Sequence, residues 1–304
     1  MRGLERDLSP ETHSPPFPFS FVLVGAGRVG TAVSKLLVDA GHVVAGVASR
    51  RASSAERAAS FLGCPVFSLD VELPPSDAVL VGATDPAIEE VATELTERGV
   101  AGRVVWHLSG SLGLAPLKPA LDGDAIGCAL HPVQACPDVA TAIERLPGSA
   151  WGVTASPEAV AWAERTVEES LRGTAVAVAE DDRPLWHSAS VTVSNGIAAL
   201  MASGESILDA IGVERPESVL GPLAAGTVMN AQQGGGGAQT LTGPVVRGED
   251  ETVYRHMRAL RDADPNLAAS YALVAAHILE QAERAGRIDS GTARTIRNVL
   301  GDAQ

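Results

Sequence analysis

FVLVGAGRVG, residues 21–30, is an apolar run that ends on Gly25, Gly27 and Gly30. A helical pattern, Thr31 to Ala40, follows and stops at Gly41, and a second apolar stretch runs from His42 to Ala48. A buried strand closed by G-x-G-x-x-G and followed by a helix and a strand is the fingerprint of a dinucleotide-binding βαβ unit. Gly25 permits the tight turn, Gly27 lets the backbone approach a pyrophosphate, and Gly30 lets the helix pack close to the strand. The helix N-terminus presents free N–H groups and partial positive charge to the phosphates. Gly25, Ala26, Gly27, Arg28, Val29 and Gly30 are therefore the first candidate cofactor contacts.

The second stretch ends in Ser49-Arg50-Arg51. NAD-binding units usually place Asp or Glu here to hold the ribose 2′-hydroxyl. Arginines instead suit a 2′-phosphate, through charge-assisted and often bidentate hydrogen bonds, with Ser49 as a further donor. The expected cofactor is NADP(H). The competing reading is a pair of solvated arginines opening the next helix.

The 304 residues, 45% of them hydrophobic, suffice for one large or two ordinary domains. A formal charge of −14 argues against nucleic acid or an anionic membrane as partner. Residues 1–18 hold four prolines and no apolar core, so they read as a disordered tail and not a signal peptide. Three cysteines without metal-ligand spacing imply no metal site and reduced thiols in the cytoplasm.

Strands and helices keep alternating up to residue 180, with strands expected at Pro65–Phe67, Ala78–Ala83, Arg103–Leu108, Ala125–Leu130, Trp151–Ala155 and Thr174–Ala179. This order implies a doubly wound parallel sheet over residues 19–180. Thr84 and Asp85 end the fourth strand, opposite the glycine loop, where they can border the cofactor or, for Asp85, cap the next helix. Ser109-Gly110-Ser111 is a small-residue turn that lets a cofactor ring approach the backbone, or an ordinary turn. His131, before Pro132, projects from a strand end, as a proton donor or a structural histidine.

From residue 181 the pattern is helical to the C-terminus, giving a second, all-α domain over 181–304. Its first helix is expected to run from the Asp181/Asp182 cap to about Ser203. His187, Ser190, Ser194 and Asn195 fall on one face of it, a polar stripe on an otherwise apolar helix that is expected to be buried. The stripe faces a substrate, or an interhelical hydrogen-bond network, or solvent as the exposed polar face of an amphipathic helix. Gly234 to Gly237 read as a flexible hinge or lid. Arg247 can receive a substrate carboxylate or pair with the acids that follow it.

GAGRVG, ATDPAI, HLSGS, HPVQ, WHSASVTVSN and TGPVVRGE, in this order, resemble the Rossmann-like oxidoreductases whose C-terminal half is a domain of unknown function. That family resembles the group of ketopantoate reductase, pyrroline-5-carboxylate reductase and 6-phosphogluconate dehydrogenase. The resemblance implies a nucleotide domain, a helical domain, a substrate bound between them, and a homodimer. Ketopantoate reductases carry Lys and, eight residues on, Asn along the matching helix; this chain has His187 and Asn195 there. The His131-Pro132 pair is similar to a segment of prephenate dehydrogenases whose histidine contacts the substrate hydroxyl. The resulting expectation is an NADPH-dependent reductase of a small 2-oxo acid such as ketopantoate. His187 or His131 would protonate the oxygen, Asn195, Ser194 and Ser190 would orient the substrate, and Arg247 would hold its carboxylate. The alternatives are an imine reductase or prephenate-type dehydrogenase, and a non-catalytic NADP-binding module.

Overall fold

The protein is described by a computed structural model over residues 16–301. Residues 1–15 of the expected tail lie outside the described residues. Phe17 does not belong to a tail. Its ring meets those of Phe19 and His42 at 6.0 and 5.0 Å, and the Arg165 guanidinium lies 3.9 Å above it. Two compact units follow, the first through Val191 and the second from Thr192.

The first unit contains β1 (Ser20–Val24), α1 (Arg28–Asp39), β2 (Val43–Ala48), α2 (Ala52–Leu62), β3 (Ala78–Val81), α3 (Ile88–Thr96), β4 (Val104–His107) and α4 (Lys118–Asp122). It continues with β5 (Ile126–Pro132), α5 (Val139–Arg145), β6 (Ala150–Ala155), α6 (Val160–Arg165), β7 (Thr174–Ala177) and the first turns of α7 (Arg183–Asp209). Seven strands form one sheet in the order β2-β1-β3-β4-β5-β6-β7. Side chains of β1 alternate between its faces: Phe21 and Leu23 enter one apolar layer with Trp106 and Leu37, while Val22 and Val24 enter the other with Ile88 and Leu95. Both faces are thus covered, as an inner strand of an α/β sheet requires.

Three expectations need correction. The strand at Pro65–Phe67 is reduced to one bridge, Val66 to Val47. His131 sits inside β5, opposite Gly152, and not beyond its end. The sheet is not wholly parallel, because β6 runs antiparallel to β5. An antiparallel strand near the edge of an otherwise parallel sheet is a common arrangement of α/β folds, and an apolar strand pattern does not record its direction.

The second unit holds the rest of α7, then α8 (Pro216–Gln233), α9 (Gly237–Thr240), α10 (Pro244–Arg247), α11 (Asp250–Ala263), α12 (Pro265–Arg284) and α13 (Ser290–Gly301). Its core joins Val253 and Met257 of α11, Ala275 and Leu279 of α12, and Ala293 and Ile296 of α13. The glycine run is a turn and the start of a helix. Gly234 N–H donates to Asn230 O to close α8, Gly235 and Gly236 take φ of +82° and +111°, and Gly237 opens α9. The expectation that α7 is a buried helix also fails: Val193 and Leu200 are 63% and 51% exposed.

Candidate functional site

The glycine loop is seated on the end of β3. A Cβ added to Gly25, whose φ is +92°, would lie 2.8 Å from Ala83 N, and one on Gly27 would lie 2.9 Å from Gly82 O. One on Gly82 would lie 2.3 Å from Gly25 O. Gly82 is thus the floor of the loop, a role the sequence reading missed. Gly30 meets the same floor, its Cβ position lying 3.1 Å from Gly82 Cα. α1 starts at Arg28 without a side-chain cap, so its first N–H groups remain available to an anion.

A cavity of about 380 Å³ opens above this loop, lined by Gly25, Ala26, Gly27, Ser49, Arg50, Arg51, Ser54 and Thr84. Ala87 and Val91 supply an apolar wall, and Glu90 and Glu94 stand on α3 at its rim. No acid follows β2, and Arg50 and Arg51 are exposed there. The residues fit a dinucleotide carrying a 2′-phosphate: a backbone cradle bare of Cβ atoms, an uncapped helix end and two guanidinium groups at the ribose position. Arg28 and Val29 stand outside this lining. Arg28 donates instead to Pro137 O at 2.7 Å.

A second cluster gathers at the ends of β4 and β5. Asp85 neither caps a helix nor lines the cavity; its carboxylate accepts hydrogen bonds from Ser109 Oγ at 2.9 Å and Ser111 Oγ at 3.0 Å. The turn this holds brings Gly110 under two imidazole rings. A Cβ there would lie 2.7 Å from His131 Nε2 and 2.5 Å from His187 Cδ2. The glycine is therefore required by the histidines. The His131 and His187 rings stand edge to face, with centroids 5.5 Å apart.

Three residues of this cluster escaped the sequence reading. His107 is fully buried; its Nε2–H donates to Gly113 O at 2.7 Å and its Nδ1 accepts from Ser109 N–H at 3.1 Å. Trp186 donates its indole N–H to His131 Nδ1 at 3.0 Å. Arg183 is fully buried and donates to Gly152 O at 3.4 Å, while Glu180 spends its carboxylate on Leu114 N–H and Ala115 N–H. Burial lowers the pKa of Arg183 to about 10, which leaves it a cation at neutral pH. Burial, reinforced by neighbouring positive charge, lowers both His107 and His131 to about 4. The tryptophan and arginine contacts explain why the first unit extends into α7.

The remaining candidates stand apart from this cluster in what they bond. Ser190 Oγ donates back to Trp186 O at 3.3 Å along its own helix. Ser194 and Asn195 continue α7 into the second unit and are exposed. Arg247 ends α10 and is held by Glu249, with Nε to Oε1 at 2.6 Å and Nη2 to Oε2 at 3.3 Å. Among the described residues no group of three or more His, Cys, Asp or Glu side chains is placed to hold a metal ion. Nor is any described helix long and apolar enough to cross a membrane.

A Rossmann-like domain model matches residues 10–132, and a domain of unknown function, DUF2520, matches residues 149–278. The chain is a Rossmann-like protein carrying DUF2520. The junction is informative: the Rossmann-like match ends with β5, and DUF2520 begins at β6, the strand that reverses the sheet. DUF2520 here thus includes the sheet edge β6–β7 as well as helices. Among curated proteins, none matches this sequence. Among solved structures, it resembles a protein of Bacteroides fragilis provisionally titled an NADP oxidoreductase, at 22% identity over 86% of this chain and 97% of the other, TM-score 0.70. A Thermotoga maritima protein is similar at 22% identity over 87% and 98%, TM-score 0.68. An imine reductase of Myxococcus stipitatus, solved with NADP+, aligns at 17% identity over 93% of each chain, TM-score 0.54. These likenesses describe the fold.

Proposed function

We propose that this DUF2520 protein is an NADPH-dependent oxidoreductase that reduces a small 2-oxo acid. The observation that carries the reading is the cavity over the glycine loop, with Arg50 and Arg51 where an NAD unit keeps an acid. A bound nicotinamide would supply the hydride. The chain's own task is to orient the carbonyl and deliver one proton to its oxygen. His187, half-buried against His131 and Gly110, would give that proton. Asn195 and Ser194, further along the same helix, would orient the substrate. Arg247 would bind its carboxylate, in competition with Glu249.

The experiment is consumption of NADPH across a panel of 2-oxo acids and cyclic imines, repeated with His187→Ala. Turnover with the best substrate is expected to fall at least about a hundredfold in the variant, with NADPH affinity unchanged. Unaltered turnover would remove His187 from the mechanism. Imines belong in the panel because Arg247 already has a bidentate partner, which favours a substrate without a carboxylate. Tight NADPH binding with no turnover of any compound would instead identify a binding module.

Homodimerisation is part of the same proposal. Val193 and Leu200 on α7 and Leu223 and Met229 on α8 are each more than half exposed, and covering them in a dimer would remove that apolar surface from water. Light scattering is expected to give twice the chain mass of 31.2 kDa. A monomer at micromolar concentration would refute that association.

A further inference from the structure

We propose that Trp186 is a positioning residue that locks His131 as a neutral imidazole with its proton on Nε2, making His131 a fixed hydrogen-bond donor rather than a proton source. An indole nitrogen only donates, so the 3.0 Å contact from Trp186 Nε1 obliges His131 Nδ1 to accept. The ring's single proton then sits on Nε2. That nitrogen is the one aimed over Gly110, 2.7 Å from where a side chain would begin. The absence of a side chain at Gly110 makes room for this Nε2–H and for the His187 ring beside it.

Protonating His131 would put a second N–H against the indole N–H, with no acceptor between them. The charges around the ring oppose it as well. Arg183 and His187, both on α7, disfavour a positive ring, and only Asp85, after β3, favours one. Trp186 is held in place by its own packing, since Gly152 of β6 leaves room for the indole: a Cβ there would lie 2.6 Å from Trp186 Nε1. Sheet edge and helix therefore set the tautomer together. His107 shows the same arrangement one strand away, with Nδ1 accepting and Nε2 donating.

The consequence, which rests on the reductase reading above, is a division of labour. His131 Nε2–H would hold the substrate oxygen, and His187 alone in the pair would carry the transferable proton. The test needs neither cofactor nor substrate, so its outcome is separable from that reading. Nitrogen-15 NMR of the imidazoles in the full chain, with His131→Gln to assign the ring, reports tautomer and titration. In the wild type His131 is expected to show a bare Nδ1 and a protonated Nε2 throughout about pH 5.5 to 8. In Trp186→Phe the freed Nδ1 is expected to raise the protonation midpoint by about one pH unit and to admit the second tautomer. A wild-type His131 that protonates near pH 6.5, or carries its proton on Nδ1, overturns the proposal, and so does a Trp186→Phe ring with unchanged tautomer and midpoint. If the variant does not fold, the wild-type tautomer and titration decide alone.

Discussion

Replacing Arg50 and Arg51 together by alanine is expected to weaken NADPH binding about a hundredfold and to leave NADH binding within about twofold. Hydrogen bonds between charged groups contribute about 1.5–3 kcal/mol each. Both side chains are exposed, so solvent and salt screen them, and the pair is expected to contribute about 2.7 kcal/mol, which is a factor of a hundred in affinity. Ser49 beside them does not distinguish the two nucleotides, because it donates to a hydroxyl or a phosphate alike. The effect should shrink as salt rises, as screening demands of exposed charges. Equal losses for both nucleotides would mean that the arginines act on the fold of the loop and not on the 2′-phosphate.

Gly82→Val is expected to abolish binding of either nucleotide. The added Cβ would lie 2.3 Å from Gly25 O and 3.2 Å from the Leu23 side chain, so the turn that cradles the pyrophosphate must move. The clashing atom is backbone, which has no rotamer by which to escape. The sheet around it remains anchored by β1, β3 and β4, whose residues are buried on both faces. Circular dichroism should therefore retain its α/β signature while titration shows no saturation. Should the valine variant fail to fold, Gly82→Ala carries the same clash with less bulk. Unchanged NADPH affinity in Gly82→Ala would show that the loop does not need β3 as its floor.

How much of this was legible in the sequence differs by element. FVLVGAGRVG announced a strand, a turn and a helix because its information is local: apolar run, glycine spacing, helical period. Gly82 carries no such local mark. Its importance arises only when β3 lies beside β1 and brings two backbones within contact distance, a fact of strand order rather than of spacing. The reversal at β6 was hidden for a related reason. An apolar strand reads the same in both directions, so the pattern did not separate a parallel from an antiparallel β6. The strand expected at Pro65–Phe67 has the right composition, yet its place beyond β2 at the sheet edge leaves it a single bridge.

The candidate site divides along the same line. His131 and His187 stood out as residue types with chemistry, and the structure brings their rings together across Gly110. Their partners did not stand out. Trp186 is 55 residues from His131 in sequence, and tryptophan is ordinarily read as core. His107 is a fully buried polar group in a strand pattern that looks apolar, and Arg183 is fully buried although it follows three acids at the start of α7, where a charge reads as exposed. Asp85 was read as a border of the cofactor or a helix cap, but its carboxylate ties Ser109 and Ser111 into the turn that shapes Gly110. The exposure of α7 was illegible because an apolar helix has the same sequence whether its cover is its own chain or another.

The central claim is that this fold holds NADP(H) over the glycine loop and selects it by the 2′-phosphate. The most direct measurement is fluorescence titration of the purified chain with NADPH and with NADH at about 0.1 M salt. Saturable NADPH binding, tighter than NADH by about a hundredfold, is the predicted result. Binding of neither nucleotide, or preference for NADH, would contradict it.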